Sequence, residues 1–151
     1  EEADKHSGIG VLSPLVGYHL RRAFGAFVAD YCEAMEGTGM RQVLVGILAV
    51  VANKPGINQG AAGRILGIKR ANMVSLINEL VSARLVYRVV DPQDRRAFSL
   101  NLSEAGKKML DECHGRIKEH EARMLSVFNE EEIVQLRELL GRIDRRVPVD
   151  D

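Results

Sequence analysis

The chain has no apolar run near the roughly 18 residues that a membrane-spanning helix needs. Its first residues, Glu-Glu-Ala-Asp-Lys-His, lack the basic and then apolar order of a secretory leader. A cytoplasmic protein without a membrane partner is expected. Only two cysteines occur, Cys32 and Cys113, far apart in helix-like sequence. That spacing argues against a disulfide framework and leaves buried free thiols as the expectation. The signatures of catalysis are missing as well: there is no phosphate-cradling glycine loop, no nucleophile elbow and no His-Glu-x-x-His run, and His6, His19, His114 and His120 are scattered. The reading is of a protein that is not an enzyme, with no cofactor and no metal site. No internal repeat or low-complexity linker breaks the 151 residues, which suit one domain, or one module extended by helices that need a partner.

A surplus of charge is also lacking, since 21 basic residues balance 21 acidic ones. That sum argues against nucleic-acid binding until the distribution is considered. Between Arg64 and Arg96 the cations Arg64, Lys69, Arg70, Arg84, Arg88, Arg95 and Arg96 face only Glu79, Asp91 and Asp94, so the stretch is net basic by four. Asp111, Glu112, Glu119, Glu121 and Glu130 to Glu132 collect after it. A neutral molecule can therefore carry one basic face.

That basic stretch has an ordered grammar. Asn58 suits the N-cap of a short helix to Leu66, Gly67 a C-terminal stop, and Ile68 to Ala83 a second helix. Val86 to Val90 and Ala97 to Leu102 read as two strands, the second placing Phe98, Leu100 and Leu102 on one face and Ser99 and Asn101 on the other. Asp91-Pro92 supplies the turn, and Arg95 and Arg96 stand at its tip with Asp94 able to brace one of them. Helix, turn, helix, hairpin is the order of a winged helix-turn-helix. The expected fold class is mainly α with a small β-hairpin wing.

Around this module lie helices it does not need. One follows Pro14, with Val16, Leu20, Ala23, Phe24, Phe27, Tyr31 and Met35 in a stripe. Met40 to Asn53 forms the next, burying Val43, Leu44, Ile47, Leu48 and Val51. After the wing, Ser103 caps a long helix with Met109, Cys113, Ile117, His120 and Met124 on one side; it ends near Phe128. Asn129 and Glu132 form a capping box for a last helix striped by Ile133, Leu136, Leu139, Leu140 and Ile143. The first and the last two stripes exceed what a winged module of roughly 60 to 70 residues can cover. A two-fold dimer covers them, and no stable folded monomer is expected. The implied organisation is a helical dimerisation region at 13–36 and 103–146, a DNA-binding domain at 40–102, and flexible termini at 1–12 and 147–151.

These residues resemble the multiple-antibiotic-resistance regulator (MarR) family of bacterial transcription factors over nearly the whole chain. The most specific part is Leu85-Val86-Tyr87-Arg88, then Asp91-Pro92-Gln93-Asp94-Arg95-Arg96-Ala97, then Leu100-Asn101-Leu102-Ser103-Glu104-Ala105-Gly106, with Ser103 where the family usually has threonine. Ile57-Asn58-Gln59 and Leu66-Gly67-Ile68 match the preceding helix and turn. The resemblance implies an obligate triangular homodimer, a recognition helix in each major groove, wing arginines in the flanking minor grooves, and repression released by a small ligand. Departures from the pattern are Ala62 and Gly63 in place of leucine and alanine, a further glycine at Gly60, Lys69 for a capping aspartate, and Arg84 for the glycine that usually ends the recognition helix. The glycines should soften the short helix. Lys69 opposes the helix dipole but suits a phosphate. Arg84 requires either a left-handed arginine or a different exit.

On the recognition helix, Val74, Ile77 and Val81 are expected to share a face with Arg70, leaving Asn72, Ser75, Leu76 and Glu79 for the groove. Asn72 suits adenine, Ser75 a base or a phosphate, and Glu79 either cytosine or a neighbouring arginine. Lys69 and Arg70 suit phosphate. Arg88, Asp94, Arg95 and Arg96 complete the candidate double-stranded DNA interface, the last two suiting a narrow minor groove.

Tyr18, His19, Arg22, Phe24 and Phe27 of the first helix, which in this family borders the cleft between the dimer helices and the winged module, are candidates for a small-molecule effector site. A phenol, an imidazole and a cation near aromatic rings suit an aromatic acid or its acyl-CoA thioester. Core packing and a surface ion pair explain the same residues. The expected protein is a ligand-responsive repressor. The alternatives are a redox sensor using Cys32, a metal sensor using Cys113 and His120 with His114 or Glu121, and a winged module for protein contact.

Overall fold

A computed structural model describes residues 8–90, 92–94 and 97–145. After a 3-10 turn at Gly10–Leu12 come α1 (Val16–Ala34), α2 (Gln42–Asn53), β1 (Ile57–Asn58), α3 (Gln59–Leu66), α4 (Arg70–Ser82), β2 (Val86–Val90), β3 (Phe98–Leu102), α5 (Glu104–Met124) and α6 (Glu130–Asp144). The architecture is the mainly α, winged helix-turn-helix one that the sequence implies. One strand goes beyond the expected hairpin. Ile57 and Asn58 pair antiparallel with Leu100 and Ser99, giving a three-stranded sheet in the order β1-β3-β2. Two residues carry no alternation to recognise.

The core is built by the winged module itself. Leu44, Ile47, Leu48 and Val51 of α2, Ala62 of α3, Met73, Ile77 and Leu80 of α4, and Val86, Leu100 and Leu102 of the sheet form one buried cluster. Tyr31 and Met35 at the end of α1, and Cys113 of α5, join it. Met40, expected inside α2, lies just ahead of that helix and is buried there.

Local chemistry sets the boundaries. Asn58 Oδ1 accepts from the Ala61 amide at 2.8 Å and caps α3 as expected. Ser103 caps α5, and Asn129 with Glu132 closes the capping box of α6. Lys69 precedes α4 with no side-chain cap, so this helix starts at Arg70 rather than Ile68. At Gly63 the missing side chain also has a packing role, apart from any softening of α3. A methyl group there would lie 3.0 Å from both the Ile68 carbonyl oxygen and Met73 Cγ, so the missing side chain is what lets α3 seat against α4.

Of the two exits open to Arg84, the chain takes the left-handed one, with φ 59°. The Arg84 amide donates to Val81 O and the Leu85 amide to Leu80 O, both at 3.0 Å, which closes α4 in the manner normally left to glycine. A left-handed side chain costs about 1–2 kcal/mol, offset in part by the extra unfolded-state freedom of a glycine. Arg84→Gly should therefore raise stability by roughly 0.5–1 kcal/mol in urea denaturation; a loss would show that the arginine is held by contacts stronger than its strain.

The helices outside the module are incompletely covered. The first half of the α1 stripe is exposed at Val16, Leu20 and Phe24, as are Leu139, Leu140 and Ile143 of α6. An open groove of about 650 Å³ runs between the two, lined by Val16, Leu139, Arg142, Ile143 and Arg145. Among the described residues no helix is long and apolar enough to cross a membrane.

Candidate nucleic-acid interface

The face of α4 turned away from the core differs from the expected one. Met73, Ile77 and Leu80 are its buried residues, while Val74, expected inside, is 45% exposed. Leu76, expected toward the groove, is half-buried against the core. The buried stripe is thus shifted by about one residue, because Met73 and Leu80 fit a 3.6-residue period with Ile77 as well as Val74 and Val81 do. With that phase, Ala71, Ser75 and Asn78 lie along the outward face, flanked by Val74 on one side and by Asn72 and Glu79 on the other. Asn72, Ser75, Lys69 and Arg70 are exposed, as a groove-facing role requires. Asn78 is the residue the sequence reading missed, and a correct helical phase would have found it.

Two arginines from outside α4 reach this face. Arg41, the residue before α2, pairs with Glu79 at 2.7 Å, with both side chains half exposed. Of the two partners open to Glu79, an arginine is the one present, and the pair neutralises this acidic group at the edge of the outward face of α4. Arg88, expected to contact DNA, is half-buried and turned to protein. Its Nη2 donates to Asn78 Oδ1, and its guanidinium lies 5.0 Å from the centre of the Phe98 ring.

β2 and β3 pair from Val86↔Leu102 to Val90↔Phe98, so the hairpin springs directly from the end of α4. Asp94 is exposed, and its carbonyl accepts from the Ala97 amide at 2.9 Å. Asp91, Arg95 and Arg96 lie outside the described residues, and so does the expected bracing of an arginine by Asp94.

The effector candidates divide between two surroundings. Tyr18 and His19 meet edge-on at 5.5 Å, His19 Nε2 is 2.7 Å from the Ser13 carbonyl, and Arg21 rather than Arg22 lies over the Tyr18 ring at 5.6 Å. Arg22 is exposed and Phe24 is 64% exposed. Phe27 turns the other way, edge-on to His120 at 5.4 Å. The structure thus does not gather all five around one point.

His120 is 2% exposed, with Nδ1 2.5 Å from Asp30 Oδ2, and Arg123 Nη2 reaches the same oxygen at 3.0 Å. Hydrogen bonds from His120 first and Arg123 second hold the Asp30 carboxyl below its ordinary range. Its stabilising contribution is therefore present above the usual carboxylate pKa and lost as acid protonates it. Tyr31 packs edge-on to His120 at 5.8 Å, and burial pushes its phenol up to about 12. This polar seam joins α1 to α5, and Asp30 in it was not foreseen, because it lies beside the apolar stripe rather than on it. Burial likewise raises the Cys113 thiol, which suits an inert packing role. Cys32, expected buried, is exposed. Among the described residues no three His, Cys, Asp or Glu side chains are placed to hold a metal ion.

The model of the MarR family matches residues 43–97, which run from α2 through the recognition helix into the hairpin. A structure of the transcriptional repressor CouR bound to a 23-mer DNA duplex superposes with a TM-score of 0.85 at 28% identity, covering 90% of this chain and 96% of that one. The chain resembles the MarR family in sequence and in fold. CouR from Rhodococcus jostii RHA1 bound to p-coumaroyl-CoA superposes with a TM-score of 0.78 at 27% identity, over 89% of this chain and 94% of that one. A protein of Thauera aromatica named for transcriptional regulation of the hcr operon is 28% identical over 138 residues, 91% of this chain and 83% of its own length. The chain is a DNA-binding transcriptional regulator of the MarR type and not an enzyme.

Proposed function

We propose that this regulator is a repressor that binds a palindromic duplex as a homodimer and leaves it when a small aromatic acid or acyl-CoA thioester binds. The observation that carries the reading is the pairing of two surfaces: a polar outward face on α4 beside the wing, and apolar faces on α1 and α6 that the chain leaves uncovered. In this reading residues 40–102 bind DNA, and 13–36 with 103–146 join the two copies. Asn72 and Ser75 face the major groove, Lys69 and Arg70 take phosphates, and Arg95 and Arg96 enter the minor groove. The DNA-bound and thioester-bound CouR structures support the choice of partners. Tyr18, His19 and Arg21 form the polar end of the effector site in this assignment, with Phe24 beside them.

The test is fluorescence anisotropy on the fragment upstream of the protein's own gene. Affinity should fall steeply as salt rises, because each phosphate contact releases counterions. Alanine at both Arg95 and Arg96 should weaken binding at least tenfold and flatten the salt dependence, with circular dichroism unchanged. Wild-type affinity for that fragment that does not exceed its affinity for random duplex would overturn the reading. Release by p-coumaroyl-CoA or by free aromatic acids tests the effector class, and no release by any of them would remove it.

A further inference from the structure

Asn78 lies on the outward face of α4, and its amide is clamped from the wing. Arginine only donates hydrogen bonds, so the atom turned toward Arg88 Nη2 has to be the amide oxygen, as the structure has it. Arg88 is in turn fixed by the sheet. It pairs in register with the fully buried Leu100 and lies over the Phe98 ring. Its Nε is buried and lacks a hydrogen-bond partner, so the guanidinium has committed its Nη2 to Asn78 at some cost. With the oxygen drawn toward Arg88, the amide NH2 is the end directed away from the wing.

We propose that Asn78 is a specificity-determining residue of the DNA interface and that Arg88 is its positioning residue. An asparagine free to rotate pairs with adenine through oxygen and NH2 together. Clamped by Arg88, Asn78 offers N–H donors, which match the acceptor edge of guanine, O6 and N7, or thymine O4. The wing then contributes to base readout through α4 as well as through its tip. The proposal rests on α4 being the groove-facing helix.

The experiment measures affinities of the wild type, Asn78→Ala, Asn78→Asp and Arg88→Ala for operator duplexes substituted one symmetric base-pair position at a time, at fixed salt. Asn78→Ala should lose about fivefold or more of discrimination at one symmetric position. Asn78→Asp keeps an acceptor for Arg88 but has no N–H, and should reverse the preference there toward a base presenting an amino group. Arg88→Ala should broaden the preference at that position and no other. An unaltered discrimination profile for Asn78→Ala, or a uniform loss for Arg88→Ala, overturns the proposal. Asn72→Ala and Ser75→Ala serve as references. If they change discrimination while Asn78→Ala does not, only the role of Asn78 fails; if none of the three changes it, the placement of α4 fails as well.

Discussion

Gly106→Ala is expected to destabilise the protein by about 3 kcal/mol or more, lowering its melting temperature by on the order of 10 °C. A methyl group on Gly106 would lie 2.0 Å from the Leu85 carbonyl oxygen, with the Leu85 carbonyl carbon at 3.0 Å. Neither atom can give way, because the Leu85 oxygen accepts from the Ser103 amide at 3.0 Å and the Ser103 hydroxyl lies 3.2 Å from it. That hydroxyl also donates to the Arg84 carbonyl at 2.6 Å and accepts from the Gly106 amide at 3.0 Å. The end of the recognition helix, the first wing strand and the start of α5 therefore meet at one set of hydrogen bonds, and an alanine must pry them apart. Gly115 provides the control. It lies in the same helix with no atom near the place of an added methyl group, so Gly115→Ala should be neutral or raise stability by up to about 1 kcal/mol through helix propensity. Calorimetry on the two variants decides the matter, and a Gly106→Ala protein melting within about 2 °C of wild type would mean that this junction is looser than the geometry requires.

Leu139→Asp should abolish self-association and, through it, weaken operator binding by about a hundredfold or more. Leu139 is 46% exposed in the isolated chain and lines the groove between α1 and α6 with Val16 and Ile143. If a second copy covers that face, an unpaired carboxylate there costs several kcal/mol after relaxation, and two-fold symmetry introduces it twice. The DNA effect follows because two linked recognition helices act at an effective concentration that separate ones do not reach. Sedimentation velocity and anisotropy on the same samples give both readouts. A wild-type protein that sediments as a monomer at micromolar concentration, or a Leu139→Asp protein that stays dimeric, would remove the proposed assembly.

The motif from Leu85 to Gly106 was readable as a wing, and the structure supplies physical reasons for two of its residues. Ser103 bonds both carbonyls that precede the first strand, and Gly106 is small because one of those carbonyls lies where its side chain would be. The phase of α4 was not readable. Apolar residues at 73, 74, 76, 77, 80 and 81 allow two buried faces, and only the positions of α2, α3 and the sheet choose between them. Val74 and Leu76 changed sides for that reason, and Asn78 took a place on the outward face. The effector candidates separated for a similar reason. Phe27 is drawn toward His120 of α5, a neighbour ninety-three residues away in the chain, while Tyr18 and His19 stay at the uncovered end of α1.

By itself the sequence determined the order of the helices and of the two hairpin strands, the caps of α3, α5 and α6, and the position of the wing. Those depend on interactions between residues a few positions apart: Asn58 with the Ala61 amide, Asn129 with Glu132, Gly67 ending α3 in a left-handed turn. Tertiary structure alone decided which side of α4 faces outward, that Arg41 meets Glu79, that Arg88 holds Asn78, and that His120 and Asp30 tie α5 to α1. Caps and turns are closed by local geometry, whereas a side chain's distant partner is selected by how the helices pack, and that packing is a property of the whole core rather than of any segment of it.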